Sequence, residues 1–198
     1  MKSKVLVIDD HLQSKFFLLA ALKDRGFEVA GEGASGKDAV GLAKGTAPDV
    51  VLMAVGLSDM DGITAAREIM EKNPLPIVLL TSHCETETIE RAKEAGVMAY
   101  LIKPLREEEL LPTIELAIFQ FAEFNSLRRE NEDLKKTLEM RKTMERAKGI
   151  LMKNQGLSEA EAFSLIRKKS MDMRKPMVEI GRAIILADEM IGKKGEAN

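Results

Sequence analysis

Five short runs of apolar residues recur in the first 120 positions of the chain, and polar or small residues end each of them. Continuous apolar runs of this length are typical of strands buried on both faces of a parallel sheet. We predict strands at residues 5–8, 27–32, 50–53, 77–80 and 98–102. We predict helices at residues 14–25, 36–45, 63–73 and 85–94, with a fifth helix after residues 106–108. This alternation predicts an α/β fold with a doubly wound five-stranded parallel sheet.

Glycines and prolines mark where several of these helices should end. Gly26 and Gly45 follow the first two predicted helices, at positions where a left-handed residue commonly closes a helix. Pro74 and Pro76 interrupt the third helical pattern, because proline lacks the N–H group that a continuing helix needs.

In a doubly wound sheet the ligand site lies outside the carboxyl ends of the strands, so the residues that follow each strand belong together. They are Asp9 and Asp10 after the first strand, Ala54 and Gly56 after the third, Thr81 after the fourth and Lys103 after the fifth. This set resembles the receiver domain of bacterial response regulators, which has a flavodoxin-like fold, over residues 1–122. The resemblance implies a sensor histidine kinase as a partner.

The resemblance also implies a role for each residue of the site. Asp9, Asp10 and the backbone of Gly56 would hold Mg²⁺, which prefers hard oxygen ligands. Thr81 and Lys103 would contact a transferred phosphoryl group. Tyr100, just before the lysine, is similar to the rotamer switch of the family.

The acceptor position departs from the family pattern. Where receivers carry a phospho-acceptor aspartate, this sequence has Ala54. A methyl group can neither accept a phosphoryl group nor ligate a metal, so Mg²⁺ is expected to bind weakly or not at all. Asp59 and Asp61 lie too far into the following loop to replace the missing carboxylate. The chain is either a natural pseudo-receiver or a variant whose aspartate was deliberately replaced, and retention of the other site residues favours the second explanation.

Neither glycine nor proline interrupts the sequence between Pro112 and Gly149, which predicts one long helix over residues 112–148. A single asparagine stands among apolar residues at heptad spacing, as in two-stranded coiled coils where it fixes the register. The predicted dimer seam consists of Leu127, Asn131, Leu134 and Leu138. The repeat covers only about two heptads, so an amphipathic helix folded back on its own receiver is the alternative.

Two shorter helices are predicted after the long one. Ser158 and Glu161 fit the S-x-x-E capping box, which starts a helix predicted at residues 159–169. A last helix is predicted from Pro176, and the tail from Gly192 is expected to fray. Together with the end of the long helix they predict a small three-helix all-α domain.

Charge divides the chain in the same way. The chain carries a net charge of −6 over residues 1–122 and +4 over residues 123–198. A basic C-terminal part is compatible with a polyanionic partner, but on charge alone a solvated helical surface is the simpler explanation.

Two motifs in the basic part resemble the ANTAR domain, an RNA-binding antiterminator module found behind receiver domains. They are A-K-G-I-L-M at residues 147–152 and G-L-S-E-A-E-A-F at residues 156–163, and the match covers about residues 126–190. The resemblance implies binding to paired RNA hairpins in nascent transcripts, which prevents a terminator hairpin from forming. Phosphorylation of the receiver and dimerisation would normally control this binding.

Cationic side chains should provide the contacts to RNA phosphates. The candidates are Arg141, Lys142, Arg146, Lys148, Lys153, Arg174 and Lys175. Ala147 and Gly149 are expected to permit close approach or packing, or, for Gly149, a bend of the helix.

We assign residues 1–122 to the receiver, 123–145 to a coiled-coil linker and 146–192 to the RNA-binding region. A DNA-binding response regulator is the alternative, but it needs a short turn between its last two helices, and about six residues separate them here. No enzymatic activity is expected, because His83 and Cys84 are the only candidate nucleophile–base pair and fit a loop. Without a signal peptide or a long apolar run, the protein is expected in the cytoplasm.

Overall fold

The structure is a computed structural model that describes residues 3–83 and 85–195, with side chains described as far as Met190. It contains two compact units, one up to Ser126 and the other from Leu127. Cys84 lies outside the described residues. No helix in the described part of the chain is long and apolar enough to cross a membrane.

The first unit is built on a five-stranded parallel sheet. Its strands are β1 (Lys4–Ile8), β2 (Glu28–Gly33), β3 (Val50–Ala54), β4 (Ile77–Thr81) and β5 (Ala99–Ile102). The strand order is β2-β1-β3-β4-β5, and every neighbouring pair is parallel. The predicted fold class is confirmed, and each predicted strand is present within two residues at either end.

Helices cover both faces of this sheet. They are α1 (Leu12–Asp24), α2 (Gly36–Thr46), α3 (Gly62–Lys72), α4 (Thr86–Glu94) and the start of α5 (Glu107–Gln155). Alternate residues of β1 point to opposite faces, so Val5 and Val7 join one buried cluster with α1 and α5. Leu6 and Ile8 join the other cluster with α2, α3 and α4. The continuous apolar runs in the sequence follow from this burial on both sides.

Two helices in the first unit end in different ways, one at a glycine and the other at an alanine. Gly26 follows α1 with a φ of 82°, as predicted. Gly45 does not end α2, because the helix continues to Thr46 and is closed by Ala47 in a left-handed conformation with a φ of 45°. Pro48 follows immediately and cannot extend the helix.

Helix α5 is longer at both ends than predicted. It begins at Glu107, so Pro112 lies inside the helix and not in its first turn. It also continues through Gly149 and ends at Gln155. Gly156 closes it with a φ of 68°, and its N–H donates to the carbonyl of Met152 at 3.0 Å.

The second unit packs three helices around one small core. The last segment of α5 meets α6 (Glu159–Met173) and α7 (Met177–Gly195). Its buried residues are Ala147, Leu151, Ala162, Ile166 and Ile180. The predicted three-helix arrangement is confirmed.

The start of α6 is confirmed in detail, whereas its end was misplaced, and the last residues of the tail predicted to fray, 196–198, lie outside the described residues. The Ser158 hydroxyl accepts from the N–H of Glu161, and the Glu161 carboxylate accepts from the N–H of Ser158, which completes the capping box. Helix α6 runs four residues beyond the predicted end at residue 169, and α7 is helical through residues 192–195, where fraying was predicted. Only residues 174–176 therefore separate the two helices, so the predicted six-residue spacing cannot serve as an argument against DNA binding.

Candidate functional site

Four adjacent strand ends bring the predicted site residues of the first unit together. Ala54 ends β3, Thr81 ends β4, and Asp9 and Lys103 directly follow β1 and β5. A cavity of about 350 Å³ opens beside them, lined among others by Ala54, Gly56, Thr81 and Lys103. The rule that a doubly wound sheet collects its site at the carboxyl edge holds here.

The strongest polar contact in this site joins Lys103 to Asp9. The Lys103 Nζ atom lies 2.6 Å from Asp9 Oδ2, and the Asp9 side chain is 0% exposed. The other carboxylate oxygen of Asp9 accepts from the backbone N–H of His11 at 2.9 Å. A buried charge requires a partner, so the lysine ammonium is the counter-ion of this carboxylate.

The remaining polar residues have other contacts. The Thr81 hydroxyl donates to the carbonyl of His83 at 2.7 Å and accepts from its N–H at 3.2 Å, so it is held within its own loop. Asp10 is exposed. Tyr100 lies on the edge strand β5, is 43% exposed and lines a separate cavity of about 450 Å³ with Leu116. Its role as a switch stays a prediction.

Two aspartates in the loop after β3 shape the site without entering it. Asp61 caps α3 by accepting from the N–H groups of Ile63 and Thr64, and Arg91 Nη2 lies 3.3 Å from it. Burial acts to raise the pKa of Asp61, but the hydrogen bonds from Thr64 and Ile63 and the charge of Arg91 outweigh it and lower the pKa. Gly62, the first residue of α3, leaves room for the Ala54 carbonyl, with which any Cβ atom at this position would collide.

The second loop aspartate, Asp59, holds the start of α2. It accepts from the N–H groups of Gly36 at 2.8 Å and Lys37 at 3.3 Å, and the hydrogen bond from Gly36 lowers its pKa. Both aspartates therefore bind the N-terminus of a helix.

Receiver domains generally use Mg²⁺ at their phosphorylation site. The strand ends offer two carboxylates, Asp9 and Asp10, and a methyl group at Ala54. Both oxygens of Asp9 already have donors, Lys103 and His11. Among the residues that the structure describes, no three His, Cys, Asp or Glu side chains cluster so as to hold a metal ion.

In the second unit the predicted RNA-contacting cations divide into two groups. Six are exposed, namely Arg141, Lys142, Arg146, Lys153, Arg174 and Lys175. The seventh, Lys148, has a side chain that is only 10% exposed, and its Nζ atom lies 2.7 Å from Glu145 and 2.6 Å from Glu159. The hydrogen bonds that Lys148 donates to Glu145 and Glu159 raise the pKa of Lys148, and the bond that Glu159 accepts lowers the pKa of Glu159. Lys148 is therefore a link between α5 and α6, and we remove it from the RNA-contacting set.

Two acidic residues that no sequence pattern marks connect α7 to α5. Arg146 Nη2 lies 2.7 Å from Glu189, and Asn154 Nδ2 lies 2.7 Å from Asp188. These partners are separated by 43 and 34 positions in the sequence, and no local pattern joins them. The partner of Lys148 is different, because the S-x-x-E motif that begins α6 already places Glu159 in the first turn of that helix.

The predicted dimer seam lies on an uncovered side of α5. Leu127, Leu134 and Leu138 are each more than half exposed, and Asn131 is exposed as well. Large apolar side chains repeated at this spacing on an exposed helix form the kind of surface that a second helix covers in a coiled coil.

The sheet order, the cores on its two faces and the residues at its carboxyl edge define a receiver domain. Residues 5–115 match the response regulator receiver domain, and residues 132–185 match the ANTAR domain. The chain belongs to the response regulator family, and its ANTAR domain makes it an RNA-binding antitermination regulator. The DNA-binding alternative is not favoured.

Individual proteins agree with this assignment. The transcriptional regulatory protein PdtaR of Mycobacterium tuberculosis (strain ATCC 25618 / H37Rv) is 40% identical over 182 residues, which cover 92% of this chain and 89% of PdtaR. The response regulator protein VraR of Staphylococcus epidermidis (strain ATCC 12228 / FDA PCI 1200) is 30% identical over 87% of this chain and 74% of its own length. The signal receiver domain of a modulated diguanylate cyclase from Desulfovibrio desulfuricans G20 superposes with a TM-score of 0.58 at 31% identity, covering 62% of this chain and 98% of that domain.

Proposed function

We propose that the protein binds transcripts carrying two RNA hairpins through the exposed cations of its second unit, and so prevents termination. One observation carries this proposal: six of the seven predicted cations are exposed on a three-helix unit whose apolar side chains form a core. Cations on such a surface neutralise RNA phosphates. Hairpin loops expose unstacked bases that a protein can read, whereas an A-form stem does not.

In this proposal, the same segment of a second chain packs against the dimer seam on α5. Leu127, Leu134 and Leu138 then form the apolar contacts, and Asn131 pairs with its counterpart to fix the register. Two joined chains carry two cationic surfaces, so that binding of the first hairpin raises the effective concentration of the second.

The receiver is, in the same proposal, the control element that governs pairing of the two chains. With Ala54 at the acceptor position, a sensor kinase has no carboxylate to which it can transfer a phosphoryl group. We expect Mg²⁺ to bind weakly or not at all, because Asp9 is already paired with Lys103. The chain therefore remains in its resting state, and its role is regulatory and non-enzymatic.

The proposal is tested with RNA enriched from a pool of two-hairpin molecules whose loop bases are randomised. Binding of the full chain to this RNA is measured by fluorescence anisotropy at several salt concentrations, beside duplex DNA of equal length. We expect the chain to prefer RNA and log K to fall steeply with log salt, by about 0.7 to 0.9 for each phosphate neutralised. Equal binding to duplex DNA would favour the DNA-binding alternative, and failure to enrich any RNA would contradict the proposal.

A further inference from the structure

One face of α5 in the second unit carries three cations with a glycine among them. Lys142, Arg146, Gly149 and Lys153 are spaced by four, three and four residues, which places them within about 60° of one another around the helix. All four are exposed. We name this face, defined by these four residues, the cationic stripe.

The other two helices of the unit leave the stripe exposed, with one contact to it: Arg146 Nη2 lies 2.7 Å from Glu189 of α7, in an exposed ion pair. The opposite face of α5 carries Ala147 and Leu151, which are buried in the core. To one side of the stripe, Lys148 is paired with Glu159 of α6. To the other side, Asn154 is bound to Asp188 of α7. Apart from the neighbouring backbone of α5 itself, no atom of the described residues lies within 4 Å of the position that a Cβ atom on Gly149 would occupy.

Packing within the second unit therefore does not explain why residue 149 is a glycine. Glycine inside a helix is less favourable than alanine because its backbone loses more freedom on folding. Its φ is not positive, unlike that of Gly156. It does not serve helix packing either, unlike Gly181 of α7, whose Cβ position lies 3.3 Å from Thr143 and 3.5 Å from Ala147.

Gly149 stands between two cations along the helix axis. At 1.5 Å per residue, Arg146 precedes it by about 4.5 Å and Lys153 follows it by about 6 Å. A bare helix backbone at this level lets a bulky chain come close while the long cationic side chains reach it from both sides. Three acidic residues lie near the stripe. Glu145 is paired with Lys148 at 2.7 Å, whereas Glu189 and Glu139 form exposed ion pairs with Arg146 and Lys142. Exposed ion pairs are weak, so an RNA phosphate can replace these two carboxylates as the partner of the stripe cations.

We propose that Gly149 is the point at which the sugar–phosphate backbone of a bound RNA hairpin approaches α5 most closely, with Arg146 and Lys153 on adjacent phosphates. This inference rests on the RNA binding proposed above and adds which face of the unit receives the RNA. It makes the missing side chain, as well as the charges, a determinant of affinity.

The test uses full-length chains and the enriched two-hairpin RNA. The variants are Gly149→Ala and Gly149→Gln, which add a side chain of increasing size without changing any charge. The matched control is Gly41→Gln, because Gly41 is also an exposed helical glycine with nothing within 4 Å, but lies in α2 of the receiver. Each variant is measured for its melting temperature, its RNA affinity and its salt slope.

We expect both Gly149 substitutions to raise the melting temperature by a few degrees, since they improve the helix. Gly149→Ala should weaken RNA binding about threefold and Gly149→Gln about tenfold, with a salt slope shallower by about one although no cation is removed. Gly41→Gln should leave RNA affinity unchanged. Wild-type affinity in Gly149→Gln, or a loss accompanied by a lower melting temperature, would overturn this inference alone. Absence of RNA binding by the unsubstituted chain would overturn the proposed function with it.

Discussion

The ammonium of Lys103 lies 2.6 Å from the fully buried carboxylate of Asp9, at the same sheet edge where Ala54 ends β3. The lysine compensates the charge of the Asp9 carboxylate, which would be costly to bury without a partner in a low-dielectric interior. This pairing also means that two of the charged residues expected to serve phosphoryl chemistry neutralise each other in this chain.

Substitution of Lys103 by methionine should destabilise the receiver. Lys103→Met leaves the Asp9 carboxylate buried with only the N–H of His11 as a donor, and we expect the free energy of unfolding to fall by about 3 kcal/mol, the low end for a buried ion pair, because the lysine side chain is partly exposed. Urea unfolding followed by circular dichroism measures this. Lys93→Met is the control, because its ion pair with Glu90 is exposed at both ends and is worth little. Equal loss in the two variants would contradict the role given to the Lys103–Asp9 pair.

Restoring the acceptor should restore the chemistry. Ala54→Asp adds a third carboxylate at the strand ends, and with Mg²⁺ and a small phosphodonor we expect the protein to gain the mass of one phosphoryl group. Intact-mass spectrometry detects this gain, which the original chain should not show. Ala54→Asn serves as the control, because asparagine has nearly the same shape as aspartate but no nucleophilic carboxylate. Modification of the original chain to the same extent would show that another residue accepts the group.

Acid should weaken the second unit through Glu159. The hydrogen bond from Lys148 holds the pKa of Glu159 below 4.5 in the folded protein. A lowered pKa means that this pair stabilises the fold above pH 4.5, and that the contribution is lost as pH falls through the lowered value. Glu159→Gln should therefore cost stability at pH 7 and progressively less below pH 4.5. Urea unfolding at both pH values tests this, with Glu139→Gln, whose ion pair with Lys142 is exposed, as the control.

The seam should determine the oligomeric state of the activated protein. In the Ala54→Asp background with a phosphodonor, Leu134→Lys should prevent dimerisation, because it places a charge in the apolar contact. Asn131→Leu should strengthen association or change the number of chains, since the polar residue that fixes the register is lost. Light scattering measures both, with the off-seam Lys135→Ala as the control. A monomer under all conditions would favour the alternative in which the helix folds back on its own receiver.

The two classes of cation in the second unit should behave differently towards RNA. Lys153→Ala should reduce RNA affinity and make the salt slope shallower by about one, with little change in stability. Lys148→Met should lower the melting temperature, because Glu145 and Glu159 lose their shared partner, and should leave the salt slope unchanged. Anisotropy titrations and thermal melts on the same samples separate the two effects. A shallower slope for Lys148→Met would return it to the RNA-contacting set.

Much of this fold follows directly from local sequence patterns. Burial on both faces makes the strands apolar throughout, so their positions and order along the chain were predictable. The capping box at Ser158 was likewise local. The end of α2 was not, because Ala47 closes the helix in a conformation for which the sequence rules expect glycine. Gly149 was expected to mark the end of α5, but packing of Ala147 and Leu151 on α6 and α7 outweighs the weak helix preference of one glycine.

The site was predictable as far as strand topology reaches. Asp9, Thr81 and Lys103 lie at the carboxyl ends of β1, β4 and β5, which meet at one edge of a parallel sheet of this order. The pairing of Lys148 could not be predicted, because its partner Glu159 lies 11 residues further along and on the next helix. Contacts between helices depend on how the helices pack. The presence of basic residues in a sequence does not show which cations lie free on the surface and which lie between two carboxylates.

The close packing of Gly181 of α7 against Thr143 of α5, with a Cβ position 3.3 Å from that side chain, has a further consequence for genetic screens. A larger residue at Gly181 would push α7 outward and withdraw Glu189 and Asp188 from Arg146 and Asn154. A search for loss-of-function alleles should therefore recover substitutions on the hidden side of the bundle, in residues that never meet a transcript.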